Sequence, residues 1–424
     1  MSIVYTIVQL VSLVFLLPVM AFMVLFSAKY KERIPRRLGI GLKVPDKKAG
    51  RPRIWIHALS VGEVVSAKPL IKALRREMPE CELFFSSVTQ GGQLVAQDMA
   101  EDVDQFIPFP FDFFFTVTRF IRRIEPDVFV LVETDFWPGI IWQLRDKAIP
   151  CLLVNGRIAQ RSFTRYRLLR PVFASLFNAF TALSMQMERG ASQLQELGID
   201  PRKVSCHGNL KFDLELRMQD APDLSAVTEV FRDRIVFVAG STHKGEEELI
   251  LDAFLQVYKS HPNLLLVLAP RNIGRAESIY ELTASRGLVV NLRSSRIDQE
   301  TQVIIVDTLG ELVYLYYFAD IALVGGSLVD ERGHNPLEPA YWGKTVIFGP
   351  FMEDFWEAGR DLVEAGAAKQ VTSSDFSQTL GELCANPKIR ETMGGKASLF
   401  VRKHHGAAQK TASLMKNIVD GYVT

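Results

Sequence analysis

The sequence predicts two doubly wound α/β domains facing each other across a cleft, preceded by an N-terminal membrane-anchor helix. Three observations lead there. An uncharged apolar run opens the chain, short apolar segments then alternate with amphipathic ones, and the alternation restarts after the polar stretch KFDLELRMQDAPDLSA (211–226). At 424 residues with 48% apolar side chains, the chain also exceeds the ~250 to 300 residues that one hydrophobic core usually organises.

The anchor comes first. From Ile3 to Phe26 the chain reads IVYTIVQLVSLVFLLPVMAFMVLF, 24 positions without a charged side chain, long enough as a helix to cross a ~30 Å hydrocarbon core. Behind it stand Lys29, Lys31, Arg33, Arg36, Arg37, Lys43, Lys47, Lys48, Arg51 and Arg53, against only Glu32 and Asp46. Such a flank stays cytoplasmic and attracts anionic headgroups, at ~1 kcal/mol per residue near the surface. A cleaved signal peptide would carry its positive charge before the run and a small-residue cleavage site after it. Neither is present, which leaves a membrane anchor over residues 1–28 or, as the blander reading, a buried core helix.

The strands follow. RIWIHA, ELFFSSV, VFVLVE, PCLLVN, ALSMQ and VSCHGN form a first set, and RIVFVAG, NLLLVLAP, GLVVNL, QVIIVD, IALVGG and TVIFG a second. Near-continuous apolar strands separated by helical patterns indicate parallel sheets covered on both faces. The expected boundaries are an N-terminal domain at 29–215, a linker at 216–230 and a C-terminal domain at 231–424. Both halves open alike, RIWIHALSVGE against RIVFVAGSTHKGEEE, and in doubly wound sheets ligands sit at the carboxyl ends of strands, where these turns lie.

Composition excludes several classes. Net charge is +1, so no global field favours nucleic acid. Cys81, Cys151, Cys206 and Cys384 are widely spaced with no C-x-x-C pair, which argues against a zinc site, a redox motif or a disulfide framework and for a reducing cytosolic face. Asp102-Val103-Asp104 is a D-x-D triplet of the kind that holds a metal-nucleotide elsewhere, but it sits in a polar turn. His404 and His405 fall in a basic C-terminal helix, and FIPFPFDFFF (106–115) reads as packing or as acyl-chain contact.

Five turns are candidates for chemistry. In HALSVGEV (57–64), Ser60 and Glu63 have capping-box spacing, so Glu63 is a helix cap or a catalytic base. A base would leave Ser60 to cap the helix without Glu63 reaching back. GSTHKGEEE (240–248) is a strand-to-helix turn whose free N–H groups suit an anion or an ordinary cap; it is neither a Walker A nor a G-x-G-x-x-G loop. APRN (269–272) puts Pro270 and Arg271 at a strand end, where the guanidinium fork suits a phosphate. Thr308/Glu311 and Asn335/Glu338 repeat the capping-box spacing, the latter with Pro336 at the first helical position, and a Glu there can instead accept hydrogen bonds from ribose hydroxyls.

HALSVGEV, ETDFWP, NGRIAQRS, GNLKFD, STHKGEEE, APR, DTLGEL and GGSLVDERGHNPLEPA, in that order behind an apolar segment, resemble the bacterial Kdo transferases of lipopolysaccharide synthesis, through nearly the whole chain. The resemblance implies the GT-B glycosyltransferase fold and metal-free transfer of 3-deoxy-D-manno-octulosonic acid (Kdo), with inversion, from CMP-Kdo to the lipid A precursor lipid IVA. It implies no cofactor and a place on the cytoplasmic side of the inner membrane. Glu63 is then the general base, and Glu133 and Lys211 stabilise the transition state. Pro270, Arg271, Leu309, Gly310, Glu311, Asn335, Pro336, Leu337 and Glu338 contact CMP. A carboxylate that ends the buried strand VFVLVE needs a partner; Arg157 or Arg161 would supply a merely structural one for Glu133. The chain departs from the family pattern at Pro35-Arg36, where Gly and Glu are common, and at Asp330-Glu331-Arg332, where a glycine-rich loop is usual. The competing readings are a GT-B enzyme using another nucleotide sugar and an inactive paralogue that binds lipid A precursors.

Overall fold

In the computed structural model, which describes residues 2–133 and 136–423, the apolar runs of the first half become seven parallel strands. These are β1 Arg53–His57, β2 Glu82–Ser87, β3 Gln105–Pro108, β4 Val128–Val132, β5 Cys151–Gly156, β6 Ala182–Met185 and β7 Val204–Cys206, in the spatial order β3-β2-β1-β4-β5-β6-β7. Every residue of β1, β2, β4 and β5 is buried, as helices on both faces require. The order reverses between β1 and β4, so a topological switch point opens at their carboxyl ends.

The second half repeats the plan. β8 Ile235–Thr242, β9 Leu264–Pro270, β10 Val290–Leu292, β11 Val303–Ile305, β12 Ile321–Val324, β13 Thr345–Phe348 and β14 Ala368–Gln370 lie in the order β10-β11-β9-β8-β12-β13-β14, all parallel. Its switch point lies between β8 and β12. The strands β3 and β14 were not among the expected ones. Both are sheet edges, where a strand tolerates the proline of QFIP and the polar ends of AKQ, and neither shows a periodic apolar signal.

Two boundaries differ from expectation. One compact unit runs to Asp213 and includes the segment from Gly406 on, and the other is Leu214–His405. The last helix, Ala407–Val423, therefore does not belong with residues 231–405. Its Ala407, Ala408, Ala412, Met415 and Val419 enter one core cluster with Val64, Leu70 and Leu74, and Asp213 accepts the N–H groups of Gly406 and Ala408. An apolar helical stripe specifies that a helix is buried, not which sheet it covers. Residues 216–230 are likewise no open linker, because Leu224, Val227 and Val230 are buried in the second unit's core.

The opening helix, Ser2–Phe26, contains a stretch, Tyr5–Phe26, long and apolar enough to cross a membrane. Its Val14, Phe15, Leu25 and Phe26 are exposed, which rules out the core-helix reading. Near its start Tyr5 donates to Asp112 Oδ2 at 2.8 Å and meets Trp142 edge-on. In the basic helix that follows, Ala28–Arg37, the Arg37 guanidinium lies over Phe111 at 4.2 Å. FIPFPFDFFF divides between two roles: Phe109 is buried while Phe114 and Phe115 are exposed.

Candidate active site

The site in the first unit is built at the carboxyl ends of β1 and β4. Beyond β1 the chain turns through Ser60 into the helix Val61–Glu77. Ser60 makes no side-chain cap bond; instead Glu63 Oε2 accepts the N–H of Leu59 at 2.5 Å. The expectation that Ser60 caps while Glu63 holds back is thus overturned. Leu59 has left the strand ladder, its donor needs a partner, and a carboxylate one turn into the helix is the group within reach. The bond fixes the carboxylate's orientation. Below it, His57 is buried and stacked on Phe109 at 3.5 Å, its Nδ1 3.0 Å from Ser86 O. Burial lowers its pKa to about 3.

Glu133 follows β4 with a left-handed backbone, φ 64°, a strain of about 1 kcal/mol that a site must justify. Its Oε1 receives Ser66 Oγ at 3.2 Å and Asn155 Nδ2 at 3.4 Å, and Lys211 Nζ stands 3.7 Å away. Neither Arg157 nor Arg161 is its ion-pair partner among the described residues; the two residues expected to share a role share a contact. Ser66 is three residues past Glu63 on the same helix, so one helix face links base candidate and acid. Thr134 and Asp135 of ETDFWP lie outside the described residues.

Asn155 and Ser66 were missed in the sequence. Asn155 Oδ1 accepts the N–H of Leu210 at 2.9 Å while its amide meets Glu133, so it ties the Lys211 turn to the acid. Its position in NGRIAQRS was the available signal.

The second unit gathers its candidates in the segments that follow β8, β9, β11 and β12. The anion held by the GSTHKGEEE turn is the protein's own Glu246. That buried carboxylate accepts backbone N–H groups of His243 (2.9 Å), Gly326 (2.6 Å), Ser327 (3.0 Å) and Leu328 (2.9 Å), clipping the β8 turn to the β12 loop. Arg271 leaves β9 exposed, anchored by its N–H to Thr242 O at 3.0 Å. The helix begins at Leu337 with Pro336 at its cap, one residue later than expected; Asn335 Oδ1 accepts from Leu337 N at 3.1 Å in the turn before it, and Glu338 receives Asn335 Nδ2 at 3.3 Å and completes no capping box. Burial pushes the Glu338 carboxyl up to about 7, against the opposing effects of the Asn335 amide and the Arg271 charge.

The Thr308/Glu311 capping box does not form. Glu311 pairs with Arg293 at 2.9 Å, because both are nearly buried and a lone carboxylate there would be unpaid for in hydrogen bonds. Leu309 is exposed and Gly310 has φ 80°. The departure at Asp330-Glu331-Arg332 has a visible consequence: Arg332 adopts φ 69°, a conformation glycine takes without strain, and pairs with Asp354. The D-x-D triplet is structural, since Asp104 accepts from Leu83 N and Arg75.

Residues 32–214 match the family model described as 3-Deoxy-D-manno-octulosonic-acid transferase (kdotransferase). The 3-deoxy-D-manno-octulosonic acid transferase of Haemophilus influenzae is 32% identical over 398 residues, covering 92% of each chain. That of Chlamydophila psittaci is 27% identical over 404 residues, covering 93% of this chain and 92% of its own. Among solved structures, Acinetobacter baumannii MurG superposes with a TM-score of 0.54 at 13% identity, covering 87% of this chain and 99% of that chain. Staphylococcus aureus MnaA with UDP gives 0.56 at 14% identity, over 87% and 97%. These two likenesses concern the fold, two Rossmann-like domains of the GT-B kind.

Proposed function

From the premise that this chain belongs to the 3-deoxy-D-manno-octulosonic acid transferase family and is a glycosyltransferase of lipopolysaccharide synthesis, we propose that it takes Kdo from CMP-Kdo and delivers it to lipid IVA with inversion. The observation that carries this reading is the meeting of Ser66, Glu133 and Lys211 at the switch point of the first sheet, with Glu63 one turn before Ser66 on the same helix.

In the proposed reaction an acceptor sugar hydroxyl gives its proton to Glu63 as its oxygen attacks the anomeric carbon of Kdo. The bond from that carbon to the phosphate oxygen breaks, and CMP leaves with the electron pair. A positioned carboxylate base contributes about 10²- to 10⁴-fold. Arg271 supplies positive charge for the departing phosphate, and Glu133 and Lys211 stabilise the transition state. In the donor site Pro270 and Arg271, Leu309 to Glu311, and Asn335 to Glu338 contact CMP. Glu311 is committed to Arg293, so its segment contributes backbone groups, while Glu338 and Asn335 suit the ribose hydroxyls.

The apolar helix and basic flank suit an enzyme held on the cytoplasmic face of the inner membrane, where a phosphorylated acceptor keeps its acyl chains in the bilayer. Mass spectrometry of lipid IVA after incubation with the purified protein and CMP-Kdo tests the reading; addition of Kdo is expected. Transfer from a UDP-sugar instead would establish the other-donor alternative, and lipid binding without transfer from any donor would establish the inactive one.

A further inference from the structure

We propose that His243 and His334 form a proton-sharing pair that takes up positive charge when the phosphate of a cytidine nucleotide binds in the second unit. The proposal rests on the donor-site reading above and adds two residues to it.

The geometry is specific. The two Nε2 atoms are 2.8 Å apart, with the rings 5.1 Å between centroids and tilted by 17°. Two imidazole nitrogens at that separation need one proton between them, one ring donating and the other accepting. The pair therefore holds complementary tautomers and can accept a further proton on the outer nitrogen of the donating ring.

Its place in the fold is that of a ligand site. His243 directly follows β8 and His334 lies in the loop after β12, two strands adjacent in the sheet, so the pair bridges the second switch point. Both residues are held through their backbones. The backbone N–H of His243 is bound by Glu246 and that of His334 by Gly325 O at 3.1 Å, and the His334 ring lies so close over Gly326 that a Cβ there would sit 3.1 Å from it.

The surrounding charges are mixed. Arg271, from the end of β9, and His243 oppose a charge on His334, while Asp354 favours one, and burial outweighs all of them. Together they depress the His334 pKa to about 4. Glu331 Oε2 lies 3.6 Å from His243 Nδ1, Lys244 is next to His243 in sequence, and Glu246 and Glu338 flank the two loops. Empty, His334 is held short of protonation near neutrality chiefly by burial. A bound phosphate within ~4–6 Å reverses the balance and raises a neighbouring imidazole by about 1–3 pH units. Charge then appears only when the ligand is present, so an unliganded site is spared an unpaired buried cation.

The test is isothermal titration of CMP into the full-length protein and into His334→Gln and His243→Gln, between pH 6 and 8.5. Because CMP itself titrates, the quantity read is the ratio of wild-type to variant affinity at each pH, in which the nucleotide's own proton cancels. That ratio is expected to rise as pH falls, by up to about tenfold per pH unit, and both variants are expected to lose the same slope. CMP binding with a ratio flat across the range would overturn the pair while leaving the donor site standing. No CMP binding by the wild type at any pH would overturn the donor-site reading and the pair with it. Thermal midpoints of both variants separate a folding defect from a lost proton; if only one variant folds, its ratio alone decides.

Discussion

Lys211 Nζ stands 3.7 Å from Glu133 Oε1, both side chains about one-fifth exposed. That is an ion pair at a distance beyond a hydrogen bond, set at the carboxyl end of β4. Lys211→Ala and Glu133→Gln are each expected to lower kcat by about 10²- to 10³-fold. The double variant is expected to lose much less than the product of the two, because residues acting as a unit are not additive. Steady-state kinetics with CMP-Kdo and lipid IVA decide it; full additivity would separate their roles.

Glu63→Gln is expected to reduce kcat by about 10²- to 10⁴-fold with an almost unchanged thermal midpoint. Glutamine keeps an oxygen for the Leu59 N–H but cannot take a proton. A variant that retained full transfer would remove Glu63 from the chemistry and leave it a helix cap.

Glu246→Ala is expected to destabilise the protein by about 3 kcal/mol or more. Four backbone donors lose their common acceptor, and each unsatisfied buried group costs about 1–3 kcal/mol. Urea unfolding measures this. A loss below about 1 kcal/mol would mean that the β8 turn and β12 loop hold together without the clip.

The contribution of two buried histidines to stability is expected to fall as pH drops from 6.5, against an opposite contribution from the buried Glu338 and Asp112 carboxyls, raised to about 7 and about 6. The folded-state pKa of His57 is about 3 and that of His334 about 4, both below the ordinary histidine value. Between those values and 6.5 each of the two binds more proton in the unfolded chain than in the native one, so each group's stabilisation is complete above pH 6.5 and is lost on acidification, at up to about 1.4 kcal/mol per pH unit. The difference in urea midpoint between the wild type and His57→Phe, which keeps the stack on Phe109, should move against the wild type as pH falls from 7.5 to 4.5, since the carboxyl contributions are common to both. A constant difference would assign the acid sensitivity elsewhere.

Much of this was legible in the sequence. Continuous apolar runs such as VFVLV and NLLLVL can only be strands buried on both faces, and their restart predicts a second sheet. The uncharged run from Ile3 to Phe26 announces itself by length alone, and the strand-to-helix turns holding Glu63, Arg271 and Asn335 carry start chemistry a reader can see.

What the tertiary structure decided is who partners whom. Capping-box spacing marks three of the candidate turns, yet Glu63 takes the Leu59 N–H, Glu311 takes Arg293 and Glu338 takes the Asn335 amide. A spacing lists which local donors are reachable, whereas the fold decides which donors remain unsatisfied. Glu133 with Lys211, His243 with His334, and the final helix with the first unit are contacts between distant segments. Sequence determines the periodicity of each element because burial acts residue by residue. Long-range pairing depends on where strands turn and which faces are covered, which only the assembled sheets define.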